Sequence, residues 1–233
     1  MRRCVEAFVP ADRHLTVVDL GSATSQERVD AGLTHRSLFS GHDAQIIGVD
    51  VIDGPNVDMV LEKPYRLPLK TNSVDVVVSG QAFEHIPFFW ATALEIARVL
   101  KPGGVFIMTA PSRGHKHMLV DCWRYYDDGV RAMAAFTGLV VRRAHTDFPV
   151  RRRPGRVWPV ESDADADGYW GDTVGVLQKP HGYPTRRMWL VRGPVVWWAN
   201  RTAEAFARSV EVAQQRRMRR IERGKQARRS AST

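Results

Sequence analysis

The stretch that decides the fold is Thr16-Val17-Val18-Asp19-Leu20-Gly21-Ser22-Ala23-Thr24-Ser25. Its β-branched first half predicts a strand, and a turn of small residues follows, which lets a ligand approach the backbone closely. The helix expected from Gln26 presents free N–H groups to the same place. About thirty residues later, Ile46-Ile47-Gly48-Val49-Asp50 predicts a second strand that ends in a carboxylate. Since such an acid can accept hydrogen bonds from both ribose hydroxyls, the pair predicts a site for a nucleoside-containing cofactor.

The composition of the turn narrows the choice of cofactor. The dinucleotide fingerprint has glycine at the first, third and sixth positions of this turn. Here those positions hold Gly21, Ala23 and Gln26, which fits a pyrophosphate poorly. Asp19 would also repel a phosphate. An acid at this place suits a cofactor that carries an amino group and a sulfonium, as S-adenosylmethionine does.

The rest of the chain through residue 147 alternates short apolar runs with helical patterns, which favours βαβ units. The expected fold is α/β, a Rossmann-like, doubly wound and mostly parallel seven-stranded sheet with an α-helical C-terminal extension. The clearest helices are predicted at 88–100 and 128–137. The predicted strands are 15–20, 45–51, 57–61, 74–79, 105–109, 139–144 and 173–177.

Length and charge set the domain organisation. The chain has 233 residues, which suits one domain with an appendage. We expect the domain at 1–180, with a long loop insertion at 148–170, and a Trp-rich and then basic helical extension at 181–233, its helix at about 196–223. The net charge is +9, but residues 214–233 hold eight basic residues and one acid, so the remainder carries about +2. This distribution argues against a nucleic-acid-binding surface on the domain.

Cysteine content and hydropathy indicate the compartment. Two cysteines, Cys4 and Cys122, cannot form a disulfide framework and fit a reducing environment. No leader-like apolar region precedes Pro10, and no run approaches the ~20 apolar residues that span a bilayer. We therefore expect a cytoplasmic protein with no membrane span.

Several motifs together resemble the class I S-adenosylmethionine-dependent methyltransferases of the type 11 group. Residues 17–23 and Asp50 match the first motif and the ribose acid, and 66–78, 83–86 and 97–104 follow in the family's order. The resemblance covers 15–147 and implies that the cofactor is S-adenosylmethionine. It implies these cofactor-binding residues: Asp19, Gly21, Ser22, Ala23, Asp50, Glu62, Gln81 and Ala82.

The chain departs from this family at two places. Ala23 and Ser25 stand where many relatives have glycine, which makes the turn less open. The acid after the third strand is displaced, because Glu62 comes one place early and Lys63 takes the usual position. The assignment of Glu62 to the adenine side rests on this shifted match.

Histidines are the candidates for the general base that O-methylation needs. His85 follows the fourth strand and His145 ends the sixth, and both strand ends are expected at the ligand crevice. The alternative is that Glu84-His85 only orients its turn. The histidines expected in solvent are His14, His35, His42 and His181.

The acceptor site is expected after the fifth strand, where 120–129 resembles a segment of relatives that act on sugars or other small polar acceptors. The candidate acceptor residues are Glu84, His117, Asp121, Trp123, Arg124 and Tyr126. Alternatively, the aromatic residues belong to the core. Mg²⁺ is a further candidate cofactor, since Glu84, His85, Asp121 and His145 could converge.

The expected function is methyl transfer to a saccharide hydroxyl. The Arg- and Trp-rich style resembles actinobacterial enzymes that build polymethylated polysaccharides, such as the methylmannose polysaccharide methyltransferases, which would make the acceptor a mannoside. A homodimer through Trp189, Trp197 and Trp198 is a further expectation, whereas nucleic acid is not an expected partner. The alternatives are a small-molecule or lipid methyltransferase of the same fold and a non-catalytic protein that binds nucleic acid through its basic tail.

Overall fold

The computed structural model describes residues 1–147 and 170–230, with side chains through residue 215. The strands are β1 (Leu15–Leu20), β2 (Ala44–Asp50), β3 (Met59–Val60), β4 (Val74–Gly80), β5 (Leu100–Arg113), β6 (Val140–Thr146) and β7 (Gly171–Gln178). The helices are α1 (Arg2–Phe8), α2 (Gln26–Asp30), α3 (Phe89–Val99), α4 (Asp127–Thr137) and α5 (Thr185–Ser230), with 3₁₀ turns at His35–Phe39 and Phe83–His85.

The seven strands form one sheet in the order β3-β2-β1-β4-β5-β7-β6. β1 to β5 run parallel, and β7 lies antiparallel between β5 and β6. The predicted doubly wound, seven-stranded, mostly parallel fold is therefore confirmed. Strand order reverses between β1 and β4, so the ligand crevice of such a sheet lies outside the carboxyl ends of these two strands.

Both faces of the sheet are covered, as the continuous apolar runs of β1 and β4 require. Val18 and Val77 face one apolar cluster, which includes residues of α3 and α4. Val17 and Val76 face the other, where Cys4 and Val5 of α1 are buried. The apolar residues of α1 thus belong to the core, although the sequence analysis assigned no helix there.

Two elements are longer than predicted. β5 begins at Leu100 and runs through Pro102-Gly103-Gly104 to Arg113, whereas the predicted strand covers only 105–109. The backbone is satisfied there because Gly103 N–H donates to Lys179 O (2.8 Å). α5 begins at Thr185 instead of about residue 196 and continues past Pro194.

The C-terminal helix packs on the domain. Val196 and Ala199 of α5 are buried with Tyr65 and Ala91, and Arg192 Nη1 donates to Glu95 Oε1 (2.6 Å). Within the parts of the chain that the structure describes, no helix has both the length and the apolar character that crossing a membrane requires.

The connection between β6 and β7 begins and ends at residues that are hydrogen-bonded to each other. Asp147 N–H donates to Asp172 O (2.8 Å). The loop insertion predicted at 148–170 falls between these anchors, and its residues 148–169 lie outside the described part of the chain.

Candidate functional site

A cavity of about 390 Å³ opens where β1 and β4 end. Three elements build it: the turn after β1, the 3₁₀ turn that precedes β2, and the end of β4. Residues from these elements, from β5 and from the loop between β2 and β3 line it, among them Asp19, Gly21, Ser22, Ala23, His35, Asn56, Gln81 and Thr109. The predicted cofactor residues Asp19, Gly21, Ser22, Ala23 and Gln81 are thus brought together.

The turn after β1 has a backbone that only glycine adopts easily. Gly21 has φ +77°, and a Cβ built on it would lie 2.4 Å from the Cβ of Ala82. Ala82, one of the predicted cofactor-binding residues, therefore packs directly against the turn. The buried hydroxyl of Ser22 has no hydrogen-bond partner among the described residues, which leaves a polar atom available at the cavity.

Asp19 is almost fully buried and is held by two donors. His35 Nδ1 donates to Asp19 Oδ1 (2.7 Å), and Asn56 Nδ2 donates to Oδ2 (3.3 Å). The expectation that His35 is solvated is therefore wrong. The 3₁₀ turn His35–Phe39 lies within the long gap that separates the first two strands in sequence, and it brings His35 against the end of β4 at Gly80.

Besides Ala82, which packs against the turn, two predicted cofactor residues do not line this cavity. Asp50 Oδ2 accepts a hydrogen bond from Ala23 N (2.9 Å), and Oδ1 accepts one from Val51 N (2.7 Å). The Asp50 carboxylate therefore stabilises the backbone of the turn after β1. Glu62 is exposed and lines a separate groove beside α5. Its displacement by one residue relative to the family pattern agrees with this position.

A second group of side chains follows β4 and β5. Glu84 is fully buried, and its Oε1 lies 3.5 Å from His85 Nε2 and 4.0 Å from His117 Nε2. The two imidazole rings stack edge to face with their centroids 4.8 Å apart. His85 Nδ1 donates to Val120 O (2.6 Å). We refer to Glu84, His85 and His117 as the acceptor cluster.

Electrostatics differ sharply between the two acids of this region. Burial raises the pKa of Glu84 to about 7, and neither carboxylate oxygen has a hydrogen-bond partner among the described residues. By contrast, Asp121 forms a bidentate pair with Arg124 (2.5 and 2.9 Å). These hydrogen bonds lower the pKa of Asp121 to about 2.

The other predicted acceptor residues have structural partners. Arg124 also donates to His115 O (2.8 Å), so it fixes the loop after β5. Trp123 Nε1 donates to Ile86 O and Pro87 O (both 3.1 Å), which supports the alternative that Trp123 is a core aromatic. Tyr126 is half exposed beside α4.

Trp170 is a residue that sequence reasoning missed. Its ring lies 5.2 Å from that of His117 and packs over Gly114, where a Cβ would be only 2.3 Å from the indole. The ring remains 40% exposed. Only the tight packing at Gly114 points to it, and that packing depends on the tertiary fold.

His145 lies apart from the acceptor cluster. Its side chain is 61% exposed on the outer strand β6, and its Nε2 is 3.7 Å from Asp147 Oδ1. Of Glu84, His85, Asp121 and His145, which were expected to converge, only Glu84 and His85 do so, together with His117. Asp121 contacts this group through His117, and His145 does not belong to it.

Comparisons with known proteins agree with this geometry. The methyltransferase domain family matches residues 31–108. An uncharacterized methyltransferase of Mycobacteroides abscessus is 29% identical over 79% of this chain and 72% of its own length, whereas the matches to further mycobacterial methyltransferases span about half of those proteins. A chain from the complex of the Haloferax volcanii Trm112 methyltransferase activator with a methyltransferase has a TM-score of 0.54 at 23% identity, covering 77% of this chain and 88% of that one.

Residues 31–108 of this chain thus match a methyltransferase domain, and the described strands share the fold of solved methyltransferases. The resemblance read from its motifs is thus confirmed at the level of the class. The fold by itself does not fix the chemistry, because the [4+2]-cyclase SpnF has the same fold at a TM-score of 0.54 and 16% identity, over 78% of this chain and 80% of that one.

The methyltransferase cavity fits S-adenosylmethionine. Its volume lies within the range of about 300–1,000 Å³ that small-molecule sites occupy. The buried Asp19 carboxylate suits the cationic cofactor, and the Ser22 hydroxyl and the small-residue turn provide hydrogen-bonding atoms at close range. These residues would hold the cofactor, which would supply an electrophilic methyl group at this site.

Proposed function

We propose that the protein is an S-adenosylmethionine-dependent O-methyltransferase whose acceptor is a saccharide hydroxyl. The observation that carries this proposal is the adjacency of two sites on one strand end. Gln81 lines the cofactor cavity, and Glu84 and His85 follow it directly in the 3₁₀ turn after β4. A donor of methyl groups and a cluster of proton-accepting groups are therefore neighbours.

The reaction needs a base because an alkyl hydroxyl is a weak nucleophile. The bound cofactor supplies an electrophilic methyl carbon. Val120 O can only accept, so the neutral ring of His85 carries its proton on Nδ1 and presents an unprotonated Nε2. As the new C–O bond forms and the C–S bond breaks, the hydroxyl proton passes to His85 Nε2. Such a base contributes about 10²–10⁴-fold in rate.

A saccharide acceptor is supported by the surroundings of the acceptor cluster. The exposed face of Trp170 beside His117 offers an apolar platform for a sugar ring. His117 offers a polar group for its hydroxyls, and the buried Glu84 carboxylate lies 4.0 Å behind His117 Nε2. Within this class we propose a mannoside of polymethylated polysaccharide synthesis as the acceptor, in keeping with the Arg- and Trp-rich sequence.

Labelled cofactor tests the function directly. We expect methyl label from S-adenosylmethionine to appear in mannosides and not in glucosides, lipids or RNA. Label that appears only in lipid or only in RNA contradicts the saccharide acceptor. Calorimetry must also show that S-adenosylmethionine binds, because a protein that takes up neither it nor S-adenosylhomocysteine is not a methyltransferase.

Two histidine variants test the base. We expect His85→Ala to lower the turnover number by about 10²–10⁴-fold with cofactor affinity retained. His145→Ala serves as the matched control on the outer strand and should keep full turnover. Equal turnover of both variants and the wild type would remove His85 from the mechanism.

The proposal includes a cytoplasmic enzyme that forms a homodimer. Cys4 and Cys122 are free thiols, as a reducing compartment favours. Trp189 and Trp197 are each more than half exposed on α5 and offer an apolar contact to a second copy. Light scattering of the wild type and of Trp189→Ala measures this association, and a monomeric wild type contradicts it.

A further inference from the structure

We propose that Glu84, His85 and His117 bind a divalent transition-metal ion. The ligand atoms of these three residues, one from each, all lie within 4.8 Å of one another. They come from two separate segments, the turn after β4 and the loop after β5, and they are joined by a backbone hydrogen bond from Cys122 N to Glu84 O (2.7 Å). The proposal concerns ion binding by this cluster, and it uses the proposed function only to name what fills the open coordination position.

Both histidines direct an unprotonated nitrogen towards Glu84. His85 Nδ1 donates to Val120 O (2.6 Å), and His117 Nδ1 lies 3.1 Å from Asp121 Oδ2, facing that carboxylate. Because a carbonyl and an ionised carboxylate only accept, each neutral ring keeps its proton on Nδ1 and a lone pair on Nε2. Metal-binding histidines have this arrangement, in which the second nitrogen donates to a carbonyl or a carboxylate.

The carboxyl group of Glu84 lacks a counter-charge in the protein alone. It is fully buried, and no described residue gives either of its oxygens a hydrogen bond. A buried carboxylate that is neither paired nor hydrogen-bonded is costly unless it is protonated or coordinates a cation. A divalent ion between Glu84 Oε1 and the two Nε2 atoms would supply the missing charge.

The partner of His117 is itself held in place. Asp121 has a fully buried side chain and accepts two hydrogen bonds from Arg124. Asp121 also accepts from the backbone N–H of His117 (3.0 Å). Arg124 and Asp121 therefore act as positioning residues that fix the ring of His117 towards Glu84.

The donor set favours a transition ion over magnesium. Two imidazole nitrogens and one carboxylate oxygen suit Zn²⁺, Fe²⁺ and similar ions, whereas Mg²⁺ takes oxygen ligands and water. Metal–ligand distances of about 2.0–2.1 Å place the ligand atoms of a tetrahedral zinc site about 3.3 Å apart. The distances of 3.5 and 4.0 Å to Glu84 Oε1 reach this value through small side-chain movements.

Three protein ligands leave an open position, as in catalytic zinc sites. In the proposed methyltransferase this position would receive the acceptor hydroxyl. A bound ion would lower the pKa of this hydroxyl, and its proton would pass to solvent as the C–O bond forms and the C–S bond breaks. In the ion-bound protein His85 would serve as a ligand and not as the base. In a protein without the ion, His85 Nε2 stays free to take the proton directly.

Metal titration of the full-length protein tests the site. After treatment with EDTA and its removal, we expect one equivalent of Zn²⁺ to bind in competition with a chromophoric chelator. One equivalent of Co²⁺ should give the visible absorption of a four-coordinate ion. Mg²⁺ should not displace either. Wild type that binds no stoichiometric Zn²⁺ or Co²⁺ overturns the proposal.

Variants locate the ion. Glu84→Gln and His117→Ala should each weaken Zn²⁺ binding by 100-fold or more, and Asp121→Asn by about 10–100-fold. His115→Ala, two residues from His117 in the same loop, is the matched control and should bind like the wild type. Unchanged affinity in both Glu84→Gln and His117→Ala also overturns the proposal.

Calorimetry with S-adenosylmethionine separates the two proposals. Cofactor binding by each variant shows that its fold is intact. Wild type that binds the cofactor but no ion contradicts the metal site alone. Wild type that binds the ion but no cofactor contradicts the proposed methyl transfer alone.

Discussion

The hydrogen bond between His35 Nδ1 and Asp19 Oδ1 (2.7 Å) holds one wall of the cofactor cavity in place. We expect His35→Ala to weaken S-adenosylmethionine binding by about 10–100-fold, because a hydrogen bond to a charged group contributes about 1.5–3 kcal/mol. Calorimetry measures the dissociation constant. The control is His14→Ala, which removes an equally short His–Asp pair that is exposed and away from the cavity. Equal dissociation constants for the two variants would contradict the assigned role.

Gly21 tests the turn after β1. Gly21→Ala places a methyl group 2.4 Å from the Cβ of Ala82 at a residue with φ +77°. A left-handed backbone costs a non-glycine residue about 1–2 kcal/mol, and the clash adds to it. We expect a melting temperature at least about 4 °C lower together with weaker cofactor binding. Gly41→Ala is the control, because a Cβ built on Gly41 meets no atom within 4 Å. Its melting temperature in calorimetry should lie within about 1 °C of that of the wild type.

Residues at strand ends were the ones that the sequence predicted well. Asp19 and Gly21 belong to a local pattern of strand and turn, and His85 directly follows an apolar strand, so topology alone places them at the crevice. His35 and Trp170 could not be found in this way. Their roles depend on contacts with Asp19 and His117 that only the folded chain creates.

At the scale of elements, Lys179 joins the end of β7 to the start of β5. Its side chain is buried, and Nζ donates to Asn72 Oδ1 (2.7 Å) and Leu100 O (2.8 Å). Burial lowers the pKa of Lys179 to about 8 from 10.5. Between these two pH values the folded protein has lost this proton and the unfolded chain still holds it, so the contribution of Lys179 to stability rises with pH.

Measurements of the free energy of unfolding at a series of pH values test whether the contribution of Lys179 to stability rises with pH. We expect the free energy of unfolding of the wild type, relative to that of Lys179→Met, to increase by up to about 3 kcal/mol between pH 8 and pH 10.5. Below pH 8 the difference should be constant. Urea titrations at each pH measure it, and a flat difference across the window would contradict the lowered pKa.

Long-range pairing explains where the element boundaries differ from the prediction. The predicted helix ends before Lys101-Pro102-Gly103-Gly104, but the same residues continue as β5 because Leu100 pairs with Val74 of β4 and Gly103 N–H donates to Lys179 O, just after β7. β7 lies far along the chain, so no local pattern at Gly103 indicates the contact. The central strands β1 and β4 needed no such partner to be predicted, since their apolar runs already require a two-sided core.

At the scale of the whole molecule, α5 divides into a packed part and a basic end. Truncation after residue 213 removes only the basic end and should keep the melting temperature, cofactor affinity and turnover of the full chain. Truncation after residue 184 removes Val196 and Ala199 from the core against α3. Loss of such burial costs about 3 kcal/mol, which corresponds to a melting temperature about 6–12 °C lower. Calorimetry measures the melting temperatures of the two truncated chains. Equal melting temperatures would contradict the packing role of α5.

The charge distribution is also a property of the whole chain. The sequence predicted that the excess of basic residues belongs to the end of α5, and it left open what that end contacts. Truncation after residue 213 distinguishes a basic end that is only solvated from one that binds an anionic polymer. Binding to such a polymer would weaken steeply with salt in the full chain and would be absent in the truncated chain.

The hydrogen bond between Asp147 and Asp172 has a consequence for how the sequence of this protein can change in evolution. The residues on either side of the 148–169 segment, Asp147 and Asp172, are hydrogen-bonded to each other at the ends of β6 and β7. Insertions and deletions in the segment therefore leave the pairing of these strands unchanged. Their entropic cost grows only slowly with the length of the segment. The segment rejoins the fold beside Trp170, next to the acceptor cluster. Mutation of this segment can therefore change the acceptor, while the turn after β1, which lies three strands away from β7, keeps its residues for the methyl donor.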